Sequence, residues 1–283
     1  MGHNTFGDFM SIRTDLIDEI KIEQKHVIDG MVIKSEKMDT VKISSVTIKS
    51  DNAAKKLNKP KGSYCTLYFP RLDFVCDTVA ITNSTVKHLK QTVKKSIQSA
   101  LVVGLGNRDI TPDALGPLVC DRILATRHID DKLKRDLHLK NLKSVSVITP
   151  GVLGKTGIES YDIVSAAAKK IKPDVIIAID ALAARDPERL CRTIQIADSG
   201  ICAGSGVNNA RKPLNCDTLG IPVVAVGVPT VIDANSFFDT TENMMVTPKE
   251  IDLLVEKAAD ILSHAINIFL QPEIDIEIIE SLT

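Results

Sequence analysis

Two acidic residues follow runs of apolar residues in this chain, and their placement invites proton-transfer chemistry. Asp113 lies in Leu101-Val-Val-Gly-Leu-Gly-Asn-Arg-Asp-Ile-Thr-Pro-Asp-Ala-Leu-Gly-Pro117, and Asp180 directly follows Val175-Ile-Ile-Ala-Ile179. Apolar runs of this kind read as buried strands of a parallel sheet, and open α/β sheets gather their chemistry at the carboxyl ends of such strands. Two carboxyl groups brought close together cannot both ionise cheaply, so one pKa rises and the pair shares a proton. One member can then take a proton from water while the other donates to a carbonyl oxygen or a leaving amine. That is peptide-bond hydrolysis without a covalent intermediate. The same two acids could instead hold a divalent metal, although the spacing offers no evident third ligand.

Each acid also has a structural explanation. Thr111-Pro112-Asp113 suits a helix start, with a threonine cap, a proline in the first turn and an acid facing the helix dipole. Asp180, before Ala-Leu-Ala-Ala-Arg185, could cap an alanine-rich helix over 182–190. Gly104-Leu-Gly106 after a strand resembles the start of a dinucleotide fingerprint, but Asp109 stands where the third glycine should fall and would repel a pyrophosphate. Ser205 lies between two glycines without the full nucleophile motif, because Gly204 is adjacent to it. Arg185, Arg189 and Arg192 could bind an acidic substrate side chain, although the first two better suit a solvated helix face. Asp109 and Asp233 are minor acid candidates.

The elements that must position these residues follow from patterning. Strands are predicted at 100–104, 144–149, 174–180, 192–197 and 221–227, with helices near 112–126, 159–171, 182–190 and 249–269. This alternation predicts an α/β fold, a mostly parallel twisted sheet flanked by helices on both faces. Before it, residues 28–50 and 64–69 alternate as additional N-terminal β segments that extend or cap the sheet. A lysine-rich helix is predicted over 83–98. Thr247-Pro-Lys-Glu250 reads as a capping box, and the polar stretch 200–219 is long enough to be functional.

Composition sets bounds. The chain has 283 residues, 44% hydrophobic and 25% charged, with a formal net charge of -1, which fits an ordinary globular protein without a general pull toward nucleic acid or anionic membrane. No tryptophan and 4% aromatic residues leave little for stacking single-stranded bases. Cys65, Cys76, Cys120, Cys191, Cys202 and Cys216 form no Cys-x-x-Cys pair and read as reduced thiols. The histidines show no zinc spacing. Without a secretory signal pattern or a bilayer-length apolar run, the expected location is cytoplasmic.

Several ordered blocks carry a resemblance. Leu101-Val-Val-Gly-Leu-Gly-Asn107, Thr111-Pro-Asp-Ala-Leu-Gly-Pro117, Pro150-Gly-Val-Leu-Gly154, Ala178-Ile-Asp-Ala-Leu-Ala-Ala-Arg185, Asp217-Thr-Leu-Gly-Ile-Pro222, Val226-Gly-Val-Pro-Thr-Val231 and Met244-Met-Val-Thr-Pro-Lys-Glu-Ile-Asp252 closely resemble the germination protease family of spore-forming bacteria. The resemblance implies a fold like that of the hydrogenase-maturation proteases and a homotetramer in the forespore or spore core. It implies an endopeptidase that degrades small acid-soluble spore proteins, acting as an atypical aspartic protease without a cofactor, with Asp113 and Asp180 as its catalytic acids. In the hydrogenase-maturation relatives the matching acids meet nickel, which keeps the metal alternative open.

Family members are zymogens that remove a short propeptide by self-cleavage. The resemblance maps the cut between Asp15 and Leu16, dividing the chain into an N-terminal arm at 1–15 and a single peptidase domain at 16–283. Cleavage after an acid and before a large apolar residue is also expected in the protein substrates. Ile17 stands where the family usually has alanine, and Ile232 to Asn243 replaces a longer connection. Arg185 and Ser205 are the candidate substrate-binding residues. The alternatives are a metal-assisted peptidase using the same acids and a catalytically idle module that binds spore proteins.

Overall fold

The structure, a computed structural model, describes residues 14–20, 28–72, 76–136, 139, 141–202, 211–237 and 244–283. Among these residues nine strands form one mixed sheet: β1 (Met31–Met38), β2 (Val41–Ile48), β3 (Gly62–Tyr68), β4 (Ser99–Gly104), β5 (Ser144–Ile148), β6 (Val175–Ala184), β7 (Thr193–Ala197), β8 (Val223–Asp233) and β9 (Met245–Val246). Their order is β1-β2-β3-β7-β8-β6-β4-β5, with β9 on the far end of β8. The strands β5, β4, β6 and β8 are mutually parallel, joined by helical crossovers. On the other side of β8, strands β7, β3, β2 and β1 continue the sheet antiparallel. The N-terminal β segments therefore extend the sheet rather than capping it.

The helices among the described residues are α1 (Asp51–Leu57), α2 (Thr78–Thr92), α3 (Leu115–Asp121), α4 (Asp131–Asp136), α5 (Leu153–Thr156), α6 (Ser160–Ile171), α7 (Cys216–Leu219), α8 (Ile251–Leu270) and α9 (Ile276–Leu282). Alternation along β4 and β6 sends side chains to two cores. Ala100, Val102, Val175 and Ile177 pack with α2, α3 and α8, while Leu101, Val103, Ile176 and Ala178 pack with α6 and the 214–221 segment. The central parallel strands are buried on both faces, so they read as continuous apolar runs.

Three expectations change. The helix predicted over 182–190 is absent: β6 continues through Ala184, and a short 3-10 turn at Pro187–Arg189 follows. The alanines favour a helix intrinsically, yet β8 pairs with β6 from Asp180 to Ala184 and tertiary pairing overrides propensity. The helix predicted from 112 is divided into a 3-10 turn at Thr111–Asp113 and α3. The Thr247 capping box does not form, because its hydroxyl donates to the Thr230 carbonyl at 2.8 Å and α8 begins without a side-chain cap.

Candidate active site

Asp113 is carried by a tight reversal at the carboxyl end of β4. Gly106 takes φ +108, a conformation that favours glycine, and a Cβ there would stand 2.1 Å from the Asp113 carbonyl oxygen. The reversal lets the Asn107 N–H reach both the Asp113 carbonyl at 3.1 Å and its carboxylate Oδ2 at 2.8 Å. Asp113 therefore does not cap α3, which lacks a side-chain cap. The Thr230 hydroxyl ties the turn to β8 by donating to the Pro112 carbonyl at 2.7 Å.

Asp180 sits within β6, immediately after the point where β4 stops pairing with it at Gly104–Ile179. It is buried, and its Oδ1 accepts the Ala181 N–H at 3.0 Å. Both acids line one cavity of about 570 Å³, together with Asp15, Lys59 and Gln195.

Burial pushes the Asp113 carboxyl above the usual carboxylate range, while the Asn107 N–H and the Arg211 guanidinium pull it back. Asp180 is held well above that range, first by burial, then by the negative charges of Asp113 and Asp15. This is the behaviour of two acids that cannot both ionise. A stability consequence follows. With the folded pKa raised, the native state binds more protons than the unfolded chain, so this group's contribution is intact at low pH and is lost as pH rises through the folded value. Asp180→Asn removes that dependence. Calorimetry should find the variant melting higher than the parent at pH 8, on the order of 2–4 °C for each kcal/mol relieved, with the difference shrinking toward pH 4. An unchanged difference across that range would contradict the raised Asp180 carboxyl.

The edge of β6 that β4 leaves open is occupied by the chain's own N-terminal segment. The Asp15 N–H donates to the Ala183 carbonyl at 2.9 Å, and the Asp15 carboxylate accepts the Ala183 N–H at 2.8 Å. Leu16 is fully buried against Leu182 and Ala184 with Ile201 beside them, and Ile17 packs in a cluster with Val46, Tyr64 and Ala197. Glu19 accepts the N–H groups of Arg185 and Asp186, each at 2.8 Å. Thr14 to Ile20 is thus a docked segment, of which Asp15 lines the cavity.

The sequence profile of the germination protease family matches residues 12–242, more than half of the chain. The chain belongs to that family. A germination protease of Clostridium tetani is 37% identical over 96% of this chain and 99% of its own length. One from Caldanaerobacter subterraneus is 37% identical over 93% of this chain and 95% of its own, and one from Priestia megaterium is 44% identical over 82% and 66%. The alignment with the Clostridium tetani relative spans 327 positions against 283 residues here, so that relative carries residues this chain lacks. A nickel–iron hydrogenase maturation protease, HycI of Thermococcus kodakarensis, superposes with a TM-score of 0.40 at 21% identity, over 65% of this chain and 98% of its own. As a member of the germination protease family the chain is a peptidase.

The other residues singled out in the sequence lie elsewhere. Arg185 is outside the cavity lining, and its guanidinium donates to the Glu19 carbonyl at 3.1 Å, so it holds the docked segment. Ser205 lies outside the described residues. Asp109 is exposed and pairs with Lys155, while Asp233 is buried and accepts the Asn235 N–H at 3.0 Å. Arg189 stacks over Tyr68 and Arg192 pairs with Glu188. Among the described residues, no group of three or more His, Cys, Asp or Glu is arranged to hold a metal ion.

Two cavity residues escaped sequence reasoning. Lys59 follows α1 in a lysine-rich stretch, and nothing in the sequence marks it among its neighbouring lysines. Gln195 was more legible, as an amide within the apolar Thr193–Ala197 strand. A buried amide requires partners.

Proposed function

We propose that this chain is a self-processing endopeptidase of spore germination, in which Asp113 and Asp180 activate water to cut the bond between Asp15 and Leu16. The observation that carries this reading is that the Asp15 side of that bond lies in the cavity lined by both acids, near enough for the Asp15 charge to act on Asp180. Asp180 feels the deeper burial and two negative neighbours, so it carries the shared proton. Asp113, with the Asn107 N–H and Arg211 favouring its charged form, is the base. Asp113 takes a proton from water as the water oxygen bonds to the carbonyl carbon. Asp180 gives its proton to the Leu16 nitrogen as the carbon–nitrogen bond breaks, leaving a new carboxyl on Asp15 and a new amine on Leu16.

The contacts of this segment also suggest the specificity. The Ala183 N–H receives the acid before the cut, and the Leu182, Ala184 and Ile201 surface receives the apolar residue after it. Ile17 is buried in a pocket of its own, so isoleucine is accommodated where alanine is usual in the family. Small acid-soluble spore proteins offering an acid before a large apolar residue are the proposed substrates, cut in the spore core by a homotetramer after residues 1–15 depart.

The test is to incubate the full chain with and without a strong chelator and to weigh the products by mass spectrometry. The expected result is release of residues 1–15 at the same rate in both. Release that stops in chelator and returns with added metal would replace the two-acid mechanism by the metal-assisted one. No release, with no cleavage of an Asp-Leu peptide, would favour the binding module.

A further inference from the structure

The Asp15 carbonyl oxygen accepts two side-chain hydrogen bonds, from Lys59 Nζ at 2.9 Å and Gln195 Nε2 at 3.1 Å. Through Oε1, Gln195 also accepts the Ile17 N–H at 2.9 Å. One amide therefore spans the Asp15–Leu16 bond, with its donor on the carbonyl before it and its acceptor on the N–H one residue past it. The Ile17 N–H fixes which way round the amide lies, since it requires an acceptor.

Both side chains reach this point through specific local structure. Gln195 lies in β7, whose five residues are all buried between β3 and β8. Lys59 follows the left-handed residue Asn58, which ends α1, and its N–H returns to the Ala54 carbonyl at 3.1 Å. Burial pushes the Lys59 ammonium below its usual range, against the opposing pull of the Asp15 and Glu19 carboxylates. Withdrawing an ammonium from water is costly, and here it points at a carbonyl oxygen.

We infer that Lys59 polarises the carbonyl at the cut and holds the oxygen's developing negative charge, with the Gln195 amide as its second donor and alignment clamp. The inference rests on the reading of Asp15–Leu16 as the bond cleaved. As water adds, the carbonyl π pair becomes a lone pair on oxygen, facing an ammonium and an amide N–H. The protonated acid is then spared from serving that oxygen and remains available for the Leu16 nitrogen. Fixed donors aimed at developing charge are among the larger single contributions to acyl-transfer catalysis.

The experiment measures self-cleavage of the full chain in Lys59→Met, which keeps the length but has no donor, and in Lys59→Gln, which keeps a neutral one. Amide hydrogen exchange at Asp15 and Ala183 reports whether the segment stays docked. The expected result is a loss of about 100-fold for Lys59→Met, the size seen when one oxyanion donor is removed, a smaller loss for Lys59→Gln, and exchange protection retained in both. Two results overturn the inference alone: wild-type rates in both variants, or slowed cleavage together with lost protection, which would make Lys59 merely a docking contact. Asp113→Asn and Asp180→Asn chains run beside them, and wild-type cleavage there would overturn the two-acid mechanism instead. A parent chain cut at some other bond would overturn the cleavage site and this inference together.

Discussion

Asp180→Asn and Asp113→Asn each reduce self-cleavage by at least about 1,000-fold, in line with general acid–base contributions of about 10²–10⁴. Each substitution removes one half of a coupled proton transfer. An asparagine at 180 cannot deliver a proton to the leaving nitrogen, and an asparagine at 113 cannot accept one from water. The effect is not one of folding. Among the described residues Asp180 accepts a hydrogen bond from Ala181, which an amide oxygen can replace, and removing a carboxyl that burial makes costly to ionise does not harm the native state. Asp113 accepts from Asn107 in the same way. The measurement is the rate of appearance of the residue 1–15 fragment, with circular dichroism and melting temperature recorded on the same samples. Near-normal cleavage by either folded variant would remove the pair from the mechanism.

Gly116→Ala should be the most damaging single-atom-scale change outside the acids. A Cβ at Gly116 would stand 2.3 Å from the Leu105 carbonyl oxygen, 2.6 Å from the Leu105 nitrogen and 2.8 Å from the Ile179 carbonyl oxygen. All three are backbone atoms, of Leu105 just past the end of β4 and of Ile179 in β6, so no side chain can swing aside. The facing Gly104 leaves equally little room, its own Cβ position lying 2.3 Å from the Gly116 carbonyl oxygen. Helix α3 must therefore move away from β4, and the turn bearing Asp113 moves with it. The expected cost is about 2–4 kcal/mol, a fall in melting temperature of roughly 4–16 °C for a domain of this size. Gly154→Ala is the control, because nothing lies within 4 Å of that position. It sits in α5, where replacing glycine should hold or slightly raise the melting temperature. Equal melting of the two variants would show that the Gly104–Gly116 contact does not constrain the site.

Much of this site was legible in the chain. Leu101-Val-Val and Val175-Ile-Ile-Ala-Ile179 are apolar at every position because they are buried on both faces, and that pattern placed both acids after apolar strands at one edge of the sheet. Gly106 was legible as a turn residue for the same kind of local reason, since its backbone conformation restricts which residue can stand there. Ala181-Leu-Ala-Ala184 misled, because its helical preference is local and weak whereas β8 pairs with it along its length.

The sequence by itself determined most of the strands, the α/β class, the placement of Asp113 and Asp180 after apolar strands and the glycine turn, because each depends on burial pattern or backbone sterics within a few residues. Only the tertiary structure decided that Asp180 lies inside a strand, that β4 stops short of it, and that Thr14 to Ile20 fills the edge left open. It alone brought Lys59 and Gln195 onto one carbonyl oxygen. Those residues are separated from Asp15 by 44 and 180 positions, and contacts across such distances leave no period or spacing in the chain that makes them.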